Sequence, residues 1–258
     1  MKKHAVILIA LMWGWMLNAQ VNIGIKLGIA ATGVNVNATT NLDELDMPTA
    51  RKLNYNVGLV GEFSLMKDML ALRTSLEYAR KGYQIDLNKI KEQYQDIKSI
   101  SGDFWNVYNY LQLPVQLVYS FNQFSVNAGP YLAYGLSGME YADLHVEMND
   151  GTSQDFKEST SLTPVMGTLD ENLADITTDL NVLKYFNGLD YGLSFGFGFT
   201  YRDFLVNVQY QQGLANLTPD FKDPQFNPDD FKMRNNSINL EITYFLPLHK
   251  NKTGSTTF

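Results

Sequence analysis

The chain has 258 residues, 45% of them hydrophobic and 18% charged, with 27 acidic against 20 basic side chains and no cysteine. That length allows one large domain or two small ones, the apolar fraction excludes wholesale disorder, and a net charge of −7 argues against a nucleic-acid partner. The absence of cysteine excludes disulfides, thiolate metal sites, a cysteine nucleophile and a lipid-modified N-terminal cysteine.

Residues 1–19 read MKKHAVILIALMWGWMLNA: two lysines, an apolar run, then Ala19 before Gln20. This is the layout of a secretory signal peptide, and the apolar run falls short of the roughly 20 residues that a spanning helix needs. Removing Lys2 and Lys3 with it leaves 18 basic against 27 acidic residues, a net charge of −9. The expected division is a signal peptide over 1–19, a barrel domain over 20–248 and a periplasmic tail over 249–258.

Eight segments then alternate apolar and polar residues, the signature of strands with two unlike faces. In chain order the apolar rows begin at Val21, Tyr55, Leu70, Leu111, Phe124, Tyr191, Phe204 and Ile238. In YGLSFGFGFTY, Tyr191, Leu193, Phe195, Phe197, Phe199 and Tyr201 share one face, while glycine, serine and threonine hold the other. Arg80 lies on the apolar parity only at the end of its row, where a long side chain reaches polar surroundings.

The expected connections alternate in length. Residues 66–69, 120–123 and 202–203 make short ones, and 32–54, 82–109, 137–190 and 212–237 make long ones. An up-and-down outer-membrane barrel has this pattern, with tight periplasmic turns and long outer loops. About 40 large apolar side chains, each worth roughly 1.5–3 kcal/mol when taken out of water, cannot stay wet. An eight-stranded interior is too narrow to hold them, which leaves lipid as the sink. The Tyr191-to-Tyr201 row would span about 25 Å of membrane height at a tilt of roughly 40°. The expected fold is therefore all-β: an eight-stranded antiparallel up-and-down transmembrane barrel with long outer loops, one carrying an amphipathic helix. A soluble calyx or sandwich with the rows turned inward is the competing arrangement.

The succession GIKLGIAATG, GLVGEFSL, LALRTSLEYARKG, YLQLPVQLVY, FSVNAGPYLAYGLSG, YGLSFGFGFTY and LVNVQYQQGLANL resembles the PorT-like outer-membrane β-barrel family of Bacteroidota, over nearly the whole chain after residue 19. The resemblance implies a porin-like, monomeric outer-membrane barrel of a Gram-negative cell, surrounded by outer-membrane lipid and inserted by the barrel-assembly machinery. It implies no particular activity, although one namesake acts in gliding-associated protein secretion. The residues after Leu246 depart from the habit of such barrels of ending on the last strand.

Lys26, Glu62, Arg73, Glu77 and Glu241 share the lumen parity, either as a plug of paired charges or as the lining of a narrow polar path. No enzyme, cofactor or metal site is expected. His145, near Asp143 with Ser153 and Ser159 within reach in space, is the only histidine of the expected outer loops, and nothing in the spacing assembles a nucleophile with it. Residues 137–189 hold ten acids and two lysines but lack the spacing of a calcium loop. Within them Thr168 and Glu171 make a capping box, and Leu169, Leu173, Ile176, Leu180 and Leu183 recur at helical spacing. That predicts a helix over 169–186, packed on other loops or docking a protein partner. A weaker helical pattern runs over 87–97, and PDFKDPQFNPDDF is expected to be irregular. The functional expectation is binding, adhesion or a structural role through acidic outer loops, with transport or secretion assistance as the alternative.

Overall fold

The computed structural model describes residues 21–38, 48–67, 69–169, 184–221 and 231–247. The expected signal peptide, the tail and most of the predicted loop helix lie outside the described residues. Among the described residues twelve strands run in chain order as β1 (Val21–Ala38), β2 (Thr49–Met66), β3 (Leu70–Ile85), β4 (Ile97–Phe121), β5 (Phe124–Met148), β6 (Ser153–Val165), β7 (Thr168–Leu169), β8 (Tyr185–Asn187), β9 (Leu189–Tyr201), β10 (Phe204–Gly213), β11 (Asp220–Phe221) and β12 (Phe231–Phe245). The short helix α1 (Leu87–Gln93) precedes β4. It has Asp86 at its N-cap, whose side chain accepts from the Asn88 amide. Ile97, the last residue of the weaker helical pattern, belongs to β4 instead.

Eight strands close into a ring in the order β4, β3, β2, β1, β12, β10, β9, β5, and the β4–β5 pairing joins the two ends. Every neighbour in that ring is antiparallel. Closure leaves the ring with no free edge, which matters where no water is present to satisfy backbone groups. The turns between β4 and β5 and between β9 and β10 are two residues each, and Asn122 and Arg202 take left-handed φ values of 55° and 54° there. No helix of the described residues is long and apolar enough to cross a membrane, which says nothing about crossing by strands.

The strand alternation sorts side chains between the two surfaces of the ring. Tyr191, Leu193, Phe195, Phe197, Phe199 and Tyr201 are all exposed on the outside, with Tyr201 at 57%. Behind them the wall is glycine because the interior is occupied. A Cβ at Gly196 would lie 2.6 Å from the Asn127 amide, and one at Gly198 would lie 2.6 Å from the Ser125 hydroxyl. Aromatic rings gather on the outside at the short-turn end, where Phe124 lies 5.9 Å from Phe121 and 5.3 Å from Phe199, and Phe204 lies 5.0 Å from Tyr244.

The long connections contain more strand than their sequence announces. β4 and β5 are 25 residues each, about 80 Å of extended chain, far more than a membrane requires. Their distal halves stay paired from Asn109–Ser137 to Ile97–Met148, and β6 adds a third strand through Gly138–Leu162 to Glu147–Ser153. A three-stranded sheet thus stands on the long-loop side of the barrel, where the sequence reading has loops. At the described ends of the predicted helix, Thr168 and Leu169 pair in parallel with Asp220 and Phe221, and Tyr185 and Phe186 pair with Thr163 and Pro164. Those ends are strand, because tertiary pairing overrides the local helical spacing.

Candidate functional site: a filled lumen beneath an outer sheet

The lumen is built mainly from β3. Along its inner face Arg73, Glu77 and Lys81 recur every fourth residue, about 13 Å apart, and each meets an opposite charge from another strand. Nearest the short turns, Arg73 donates through Nε and Nη2 to Glu62 Oε2 at 2.8 and 2.6 Å. At mid-height the Lys26 ammonium donates to Glu77 and, at 3.2 Å, to Glu241. Asn56 and Asn207 donate to the two Glu241 oxygens at 3.4 and 3.3 Å, and Ser75 donates to Glu77. Lys26, Glu77 and Glu241 are all buried, Glu77 to 1% exposure. The five charged residues selected from the sequence therefore meet as one triad and one pair. A cavity of about 10 Å³ between Lys26, Arg73 and Glu241 has room for about one water.

The third layer was not singled out from the sequence. Lys81 donates to Asp190 at 2.9 Å, Asn235 donates to the same carboxylate oxygen at 3.1 Å, and the Lys81 ammonium sits 4.2 Å from the Tyr131 ring centroid. Both residues carry the lumen parity of their strands, but they stand past the ends of the apolar rows, where alternation no longer marks a strand. Above them lies an apolar layer. Tyr83, Tyr108, Tyr110 and Tyr131 from the barrel wall pack with Leu162 of β6, Phe186 of β8, Leu217 and Met233. The Phe186 ring lies 4.8 Å from that of Tyr108 and 6.1 Å from that of Tyr110. Backbone bonds tie this cap down, from Asn187 to Leu217 and from Leu217 to Met233, both 2.7 Å.

The outer sheet is polar and held by two charge pairs, Lys98 with Glu147 at 2.5 Å and Lys157 with Asp143 at 2.6 Å, and by a contact of 2.5 Å between His145 Nδ1 and Asp155 Oδ1. The Lys157 hydrogen bond holds the Asp143 carboxyl below its usual range, the Lys98 hydrogen bond does the same for Glu147, and burial raises Glu140. His145 thus turns to Asp155, while Ser153 stands opposite Glu147 and Ser159 opposite Tyr141, so neither of those serines faces the histidine. The described residues also hold no cluster of three or more ligating side chains that would suit a metal.

A closed antiparallel ring with an apolar outside and an ion-paired polar inside is the build of a membrane β-barrel. Residues 18–218 match the family described as outer membrane protein beta-barrel domain, and the chain belongs to that family. The family locates it to the outer membrane. No curated protein matches the chain. Among solved structures it is similar to Ail, the attachment invasion locus protein of Yersinia pestis, at 13% identity and a TM-score of 0.38, over 88% of this chain and 99% of that one. It is also similar to Neisserial surface protein A, at 10% identity and a TM-score of 0.34 over 87% and 98%. OprG from Pseudomonas aeruginosa is similar at 9% identity and a TM-score of 0.32 over 88% and 97%.

Proposed function

We propose that this chain is a closed outer-membrane barrel that works from its outer face, in binding, adhesion or a structural role, and does not pass solute through its lumen. The observation that carries this reading is the stack of three ion-paired layers beneath an apolar cap. A conducting pore would need all four layers to part, and each buried carboxylate would lose its partner as they did. What remains for recognition is the outer sheet of β4, β5 and β6, whose exposed charge pairs and acidic surroundings favour a polar or basic partner. In this reading residues 1–19 direct export, the Tyr191-to-Tyr201 row contacts acyl chains, and the short turns face the periplasm.

The test is capture of the partner in native outer membranes. A photo-crosslinking side chain at Ser159, on exposed β6, should yield a discrete adduct. A variant with residues 142–158 replaced by an Asn-Gly turn should keep the barrel and lose that partner. Retention of the partner by the shortened barrel would place recognition elsewhere and overturn the role of the sheet.

A further inference from the structure

Two cations stand on the outside of the barrel at the far end of the apolar rows, and neither forms an ion pair among the described residues. Arg80 occupies the outward parity of β3 two residues past Tyr78. Lys52 lies on β2 where the register against β3 shifts between Arg51 and Asn56. The Lys52 ammonium rests 4.4 Å from the Trp105 ring centroid, and the Arg80 guanidinium rests 6.0 Å from that of Tyr55. The two charges are near enough to oppose each other, and Asp103 is the acid that attracts Lys52. Even so, no carboxylate of the described residues reaches ion-pairing distance of either. The Arg80 Nε is buried with no hydrogen-bond partner. In a chain of net charge −7, two adjacent cations that form no ion pair among the described residues offer a seat for an anion.

What lies below the cations specifies the anion. Leu53, at 70% the most exposed apolar residue of the rim, Leu59 and Leu76 continue from them down the outer wall. An anion seated on Lys52 and Arg80 therefore has donors and ring faces above it and bare hydrocarbon surface beneath. Only an amphiphile uses both. We propose that Lys52 and Arg80, flanked by Trp105 and Tyr55, bind the phosphate-bearing headgroup of an outer-leaflet lipid whose acyl chains lie along Leu53, Leu59 and Leu76. The guanidinium supplies a planar fork for phosphate oxygens, the ammonium supplies a point charge, and the rings occupy the headgroup depth where aromatic side chains concentrate.

The chain carries its own reporter. Of its three tryptophans only Trp105 remains when residues 1–19 are absent. The chain lacking those residues is refolded in phosphatidylcholine bicelles, and folding is verified by heat-dependent gel migration. It is then titrated with a bisphosphorylated glycolipid, with the same glycolipid after dephosphorylation, and with inorganic phosphate. Trp105 emission should change saturably with the first alone. Lys52→Gln and Arg80→Gln should each weaken binding about fivefold, as expected for one basic residue at a membrane surface, and the double variant about 25-fold. Lys91→Gln, on the exposed face of α1, should leave it unchanged. An equal response to the dephosphorylated glycolipid, an equal response to inorganic phosphate, or an unweakened double variant would each overturn the proposal.

Discussion

Replacing Lys26 by methionine isolates the mid-height layer of the lumen. The side chain keeps most of its length but loses the ammonium, leaving Glu77 at 1% exposure and Glu241 at 2% with no cation between them. Two carboxylates cannot both stay charged in that space, and breaking a buried ion pair from one side costs about 3–5 kcal/mol. The wall allows little relief, because the adjoining cavity of about 10 Å³ admits about one water. Urea unfolding of the barrel in phosphatidylcholine vesicles should therefore show Lys26→Met destabilised by about 3–5 kcal/mol. Adding Glu77→Gln should recover most of the loss, since Glu241 keeps the Asn56 and Asn207 amides. A single variant within about 0.5 kcal/mol of the parent, the range of an ordinary surface substitution, would mean that these carboxylates are hydrated and the lumen is not filled.

The apolar cap and the outer wall make their own predictions. Phe186→Ala should cost about 3–5 kcal/mol if the cap folds together with the barrel. If the cap docks separately, the loss should appear as faster hydrogen exchange in residues 185–187 and 214–217, and unchanged exchange there would refute the packing. Phe197→Lys, at the centre of the outer row, should destabilise the inserted barrel by about 2–4 kcal/mol in vesicle unfolding, whereas a water-facing position would tolerate it. The outer sheet should respond to pH in two senses. Asp143, held below its usual 3.8 by Lys157, stabilises the sheet above that pH and ceases to as pH falls through its lowered value. Glu140, raised above 4.5 by burial, works the other way, its contribution fading as pH climbs from 4.5 through the raised value. Trp105, stacked 5.2 Å from Tyr141, whose hydroxyl bonds Asp143, reports the acid limb by fluorescence, and Glu140→Gln should abolish the limb above it.

The ring was legible because eight segments repeat a period of two with unlike faces, and no other arrangement supplies a sink for so much apolar surface. The lumen charges were legible for the same reason, parity alone aligning Lys26, Glu77 and Glu241 from three strands. The outer sheet was not. In IKSISGDFWNVYN and SGMEYADLHVEM both faces carry polar residues, so the alternation that marks a half-buried strand fades, and pairing along β4 and β5 makes the strand. The cap was equally hidden, since Leu162, Phe186 and Leu217 are single apolar residues from three separated segments and form no local pattern. Helical spacing over 169–183 misdirected the reading at Leu169 and Phe186, where strand pairings hold the backbone. Among the described residues α1, with its Asp86 cap, matched a helical stretch read from the sequence.

The central claim is that the interior is filled, and conductance across a planar bilayer tests it most directly. Purified barrel inserted at saturating density should leave the membrane at its bare-lipid conductance at voltages of either sign. Steady single-channel steps from the unaltered protein would contradict the closed lumen and return the chain to the transporters.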